Sequence, residues 1–97
     1  MKHKTKEEEI LAFAESKWGH KPMERVVVKL SEEVGEVCGA VVKIEETRAT
    51  TEDLRDELGD VLIVLSQMAA KLDTTLEELR ATRFKKVQFR NSSLPSA

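Results

Sequence analysis

Apolar residues recur along this chain at steps of three and four, which predicts helices from end to end. Ile10, Phe13, Ala14 and Trp18 mark a first helix, opened by a capping box of Thr5 with Glu8 and closed at Gly19. Pro22 suits the opening turn of a second, whose stripe of Met23, Val27, Leu30, Val34, Val37, Val41 and Ile44 continues to about Glu46. The polar stretch 45–51 makes the connection. Thr50 with Asp53, or Thr51 with the acids beside it, then caps a third helix carrying Leu54, Leu58, Val61, Leu65, Met68 and Leu72. Thr74 with Glu77 forms another capping box, and a fourth helix follows through Leu76, Leu79, Phe84 and Val87. Residues 91–97 read as a frayed tail. No Asn-Gly or Asp-Gly hairpin signal is present, and no repeat or linker divides the chain. The expectation is one all-α domain over residues 1–97, a four-helix-type bundle with its core between about residues 5 and 90.

One run resists a single packing face. Val61, Leu62, Ile63, Val64 and Leu65 are consecutive, and in a helix they point in every direction. A chain of 97 residues has little material with which to surround one of its own helices, so a subunit interface is expected, in a homodimer or homotetramer. Charge changes the picture by exclusion. Sixteen basic residues against 18 acidic ones leave a net charge of -2, which does not provide the basic field that non-specific nucleic-acid binding needs. The single Cys38 can form no internal disulfide, and its neighbours Val37, Gly39, Ala40 and Val41 suggest a buried thiol. Without a secretory signal or a membrane-length apolar run, the expected compartment is the cytoplasm, with no membrane partner.

The chemistry concentrates in carboxylates beside the apolar stripes. Glu33 and Glu36 on the second helix, and Glu57 and Asp60 on the third, are two acid pairs at i and i+3, which brings each pair onto neighbouring turns of one face. Four such acids along a bundle seam repel each other and are costly to bury unless a cation gathers them. Oxygen donors with no Cys or His nearby suit Mg²⁺, with Mn²⁺ as a substitute. A solvated acidic face is the alternative, but such a face would sit opposite the stripes. Gly35 and Gly59, one inside each pair, suggest a close approach between helices or to a ligand, because glycine otherwise weakens a helix.

The segment Lys29-Leu-Ser-Glu-Glu-Val-Gly-Glu36, followed by Asp56-Glu-Leu-Gly-Asp60-Val-Leu, resembles the EExxE…ExxD signature of MazG-like all-α nucleotide pyrophosphohydrolases, over about residues 18–91. The resemblance implies hydrolysis of a (deoxy)nucleoside triphosphate to monophosphate and pyrophosphate, in nucleotide-pool house-cleaning. Mg²⁺ would be held by Glu33, Glu36, Glu57 and Asp60; Glu32 and Glu33 would be the catalytic acids, Glu32 either supporting the metal ligands from behind or helping to activate water. Arg90-Asn91 looks like the late Lys-Asn pair with which the family contacts the triphosphate, with arginine in place of lysine. From position alone, Lys29 could meet a phosphate or pair with Glu33 or Glu36, and Trp18 could stack on a base or pack as an apolar anchor. Phosphoribosyl-ATP pyrophosphohydrolases have similar acid pairs but typically a Tyr-His that this tyrosine-free chain lacks. A non-catalytic, oligomeric module binding nucleotide or metal is the alternative from another class.

Overall fold

The computed structural model describes residues 5–93. Four helices, α1 (Lys6–Trp18), α2 (Met23–Glu45), α3 (Thr51–Lys71) and α4 (Leu76–Ser93), account for nearly all of them, with no strand among the described residues. Local chemistry sets their ends. The Thr5 hydroxyl accepts from the Glu8 N–H at 3.1 Å and the Glu8 carboxylate accepts from the Thr5 N–H at 3.4 Å, closing the expected box. Gly19 ends α1 with φ 75° and ψ 179°, a conformation only glycine adopts readily. At α3 the alternatives resolve to Thr50 with Asp53. Thr50 donates its N–H (2.8 Å) and hydroxyl (3.0 Å) to that carboxylate, which holds the carboxyl below its ordinary 3.8.

The cap of α4 lies one residue later than the sequence suggested. Asp73 takes a left-handed turn at φ 55°, and the Thr74 N–H is drawn back to the Ala69 carbonyl at 3.0 Å. Thr75 therefore becomes the cap, its hydroxyl accepting from the Glu78 N–H at 3.1 Å, while Thr74 donates to the Glu78 side chain at 2.8 Å. The Glu7 carboxylate of α1 accepts from the Leu76 N–H at 3.1 Å, adding a negative charge where the helix start favours one. The frayed tail is also corrected. Asn91 belongs to α4, which runs to Ser93, and residues 94–97 lie outside the described residues.

α2 and α3 form a hairpin through the short connection, and both α1 and α4 come close to α3. The buried face of α2 is Val26, Glu33 and Ala40, interleaved with half-buried Leu30, Val37 and Ile44. The α2 stripe is thus split: Leu30, Val37 and Ile44 turn inward, whereas Val27, Val34 and Val41 are 47%, 45% and 42% exposed. It is too wide for one neighbouring helix to cover. α3 behaves likewise, burying Val64 and Ala69 while leaving Leu58, Leu62 and Leu72 exposed. Every residue of α4 from 77 to 91 is exposed, so the expected bundle does not close within one chain. The radius of gyration, 17.1 Å, exceeds the roughly 12.5 Å of a compact domain of this length. Cys38, expected inside, is exposed on α2.

The glycine expectation is corrected as far as it concerned the helices. A Cβ added at Gly35 or Gly59 would meet nothing within 4 Å, so neither marks a close approach of helices in the chain. Gly35→Ala is accordingly expected to stabilise the fold by about 1 kcal/mol, through helix propensity and a less flexible unfolded chain. Urea unfolding of the two proteins measures it, and a loss of stability would mean that another molecule packs on that position.

Candidate metal centre and adjoining cleft

The antiparallel course of α2 and α3 sets the two acid pairs opposite one another. One carboxylate oxygen from each of Glu33, Glu36, Glu57 and Asp60 can be chosen so that all four lie within 4.8 Å of one another. Their burial is uneven: Glu33 is buried at 6% exposure, Glu57 is half-buried, and Glu36 and Asp60 are exposed. This resembles a cup, closed at Glu33 and open at the other end.

One lysine partly balances the cup. The Lys29 ammonium lies 3.2 Å from Glu33 Oε1 and 3.5 Å from Glu32 Oε2. Its pKa is raised above 10.5, chiefly by the hydrogen bond to Glu33, against a smaller opposing effect of burial. The ion pair, one of the two roles open to Lys29, is therefore formed. Lys29 satisfies only one Glu33 oxygen. Oε2 of Glu33 and Oε2 of Glu57 are both buried without any hydrogen-bond partner among the described residues. Buried carboxylate oxygens are normally paired, and leaving one bare costs several kcal/mol. Two of them inside a four-acid cluster fit a hard cation that takes oxygen ligands. Glu32 stands outside the quartet, exposed and paired with Lys29.

A cleft of about 290 Å³ opens beside the quartet, lined by Trp18, Lys21, Lys29, Glu33, Asp60, Ile63, Val64 and Gln67. Its lining mixes acid and base groups with apolar side chains and one amide. Residues 21–94 match the family described as the MazG nucleotide pyrophosphohydrolase domain. The chain belongs to the MazG family. Searches of curated proteins and of solved structures each gave no match.

The MazG match takes in α2, α3 and α4 with all four carboxylates, and leaves α1 outside. Trp18 therefore comes to the site from beyond the matched segment. It is 47% exposed, edge-on to Phe13 with ring centroids 6.1 Å apart, and the Lys17 ammonium lies 5.3 Å from its ring centre. Within the chain it is a rim residue of the cleft. Arg90 and Asn91 are not brought to the quartet; they sit on the exposed length of α4 and line no part of the cleft. Lys21 and Gln67 were missed from the sequence. Gln67 had a usable signal, since it stands two helical turns after Asp60 on the same face of α3.

Proposed function

We propose that this MazG protein hydrolyses a (deoxy)nucleoside triphosphate to the monophosphate and pyrophosphate, with Mg²⁺ held by Glu33, Glu36, Glu57 and Asp60 and Mn²⁺ as a substitute. The observation that carries the reading is the pair of buried, unpartnered oxygens of Glu33 and Glu57 within a quartet of acids. A divalent cation there supplies charge neutralisation and alignment for attack at the α-phosphorus. In that attack a water oxygen bonds to the α-phosphorus, the bond to the bridging oxygen breaks, and pyrophosphate leaves.

The chain's own groups do the positioning. Glu33 is fixed by Lys29, so its free oxygen has a defined direction before any ligand arrives. Lys29, at the cleft wall, meets a phosphate oxygen, and exposed Glu32 beside it orients the attacking water and takes up its proton. Trp18 supplies an aromatic face for the base. We further propose a homodimer or homotetramer. Among the described residues Val27, Val34 and Val41 of α2 and Leu58 and Leu62 of α3 are exposed large apolar side chains, and a second copy would cover them. The long exposed part of α4 would then bring Arg90 and Asn91 to the triphosphate at a neighbouring copy's site. Among the described residues no helix is long and apolar enough to cross a membrane. We assign the protein to the cytoplasm and to nucleotide-pool house-cleaning, without nucleic-acid or membrane partners.

The test is a panel of ribo- and deoxyribonucleoside triphosphates, assayed with Mg²⁺, with Mn²⁺ and with EDTA. Metal-dependent appearance of pyrophosphate and monophosphate in equal amounts is expected for at least one of them. Release of inorganic phosphate and diphosphate, or no turnover by a protein that binds the metal, would refute the assignment.

A further inference from the structure

The cleft beside the carboxylates holds a polar group that nothing in the fold uses. Gln67 is half-buried on α3, lines the cleft, and its carboxamide makes no hydrogen bond among the described residues. Its polar atoms stay open to water in the cleft, and a ligand's donor and acceptor can displace that water. Its neighbours in the wall are Ile63 and Val64, which are apolar, and Trp18 and Lys21. Such a mixture, apolar surfaces with a few convergent polar groups, is how small-molecule sites fix orientation.

The geometry points to Gln67 as the residue that reads the Watson–Crick edge of the substrate's nucleobase. This rests on the nucleotide reading given above. Asp60 and Gln67 are seven residues apart on one face of α3, about 10 Å along the helix axis. That is comparable with the distance from the α-phosphate to the far edge of the base in an extended nucleotide. With the triphosphate at the carboxylates, the base therefore reaches the level of Gln67, its face toward Trp18. A carboxamide offers one donor and one acceptor side by side, matching the neighbouring donor and acceptor of a base edge. Lys21 adds donors only, at the same wall, and suits a base oxygen or ring nitrogen. The aromatic face tolerates any base, so selection falls to the amide. A site built to hydrogen-bond its ligand discriminates against an analogue that lacks the partner group, because its own polar group is then left bare.

Trp18 is the only tryptophan, so its fluorescence reports occupancy of this cleft without turnover. The experiment titrates the full-length protein, in EDTA, with the four common nucleoside monophosphates, and with the analogue of the best-bound one that lacks its exocyclic edge group. The wild type is expected to rank the bases and to bind that analogue about ten-fold more weakly. Gln67→Leu, close in volume and suited to a half-buried site, should lose the ranking and bind parent and analogue alike. Gln67→Glu, which accepts but does not donate, should move the preference toward bases presenting a donor. An unchanged ranking in both variants, a wild type that binds all bases equally, or no quenching at all would overturn the role of Gln67. Pyrophosphate release separates this from the parent reading. Turnover with an unaltered base ranking in Gln67→Leu refutes the inference alone, and selective quenching without any turnover refutes the hydrolase alone.

Discussion

Glu33→Gln is expected to abolish divalent-metal binding and turnover together while leaving the metal-free protein folded. Glu33 is the buried member of the quartet, and its buried oxygen without a hydrogen-bond partner would, in the proposed site, be a ligand that water could not replace. Glutamine keeps the shape and removes the charge. The loss of activity should exceed about 100-fold, because even groups that merely support a metal ligand are worth 10–100-fold. Stability distinguishes this from a misfolded variant. A metal at 100 times its Kd stabilises a folded protein by about 2.7 kcal/mol, so the wild type should melt higher in Mg²⁺ and the variant should not. Without metal the variant should be no less stable than the wild type by more than about 1 kcal/mol, since one repulsive charge is lost along with the ion pair to Lys29. Glu32→Gln supplies the contrast: turnover falls and metal affinity holds. Calorimetry giving the same Mg²⁺ affinity for Glu33→Gln and the wild type would remove Glu33 from the metal site.

Leu62→Lys is expected to break the assembly. Leu62 is 54% exposed in the single chain, in the middle of the apolar run of α3 and well away from any cap. In a dimer covering that face, the lysine charge would be buried without a partner, at a cost of at least about 3 kcal/mol, or more than a hundred-fold in the dissociation constant. Val34→Lys tests the corresponding face of α2 independently. Sedimentation should give an oligomer for the wild type and a smaller species for both variants, with folding that becomes more sensitive to concentration. Unchanged assembly in both would move the interface elsewhere, and a monomeric wild type would refute it.

The two helices that carry the acids were legible for a simple reason. Acid pairs at i and i+3 beside an apolar stripe are fixed by helix geometry alone, and the short connection between α2 and α3 leaves an antiparallel return as the only compact course. The caps at Thr5 and Thr50 were equally local. Thr74 was misassigned because two threonines stand together, and the left-handed turn at Asp73, which decides between them, leaves no mark in a side-chain pattern. Stripes show which residues avoid water, not what covers them. Val27, Val34 and Val41 share the α2 stripe with Leu30 and Val37 yet face outward, and Cys38 is exposed among them for the same reason. Gly35 and Gly59 suggested crowding that the backbone does not provide. Gln67 went unremarked because a glutamine on a helix is ordinarily solvated, and its place two turns after Asp60 gains meaning once the cleft that Trp18 also lines is seen.

The most direct test of the central claim is to run the hydrolysis in water enriched in ¹⁸O and locate the label by mass spectrometry. With water attacking the α-phosphorus beside a metal held by the carboxylate quartet, the label should appear in the nucleoside monophosphate, with unlabelled pyrophosphate and only when a divalent metal is present. Label in the pyrophosphate or in inorganic phosphate, or label transfer that persists in EDTA, would contradict it.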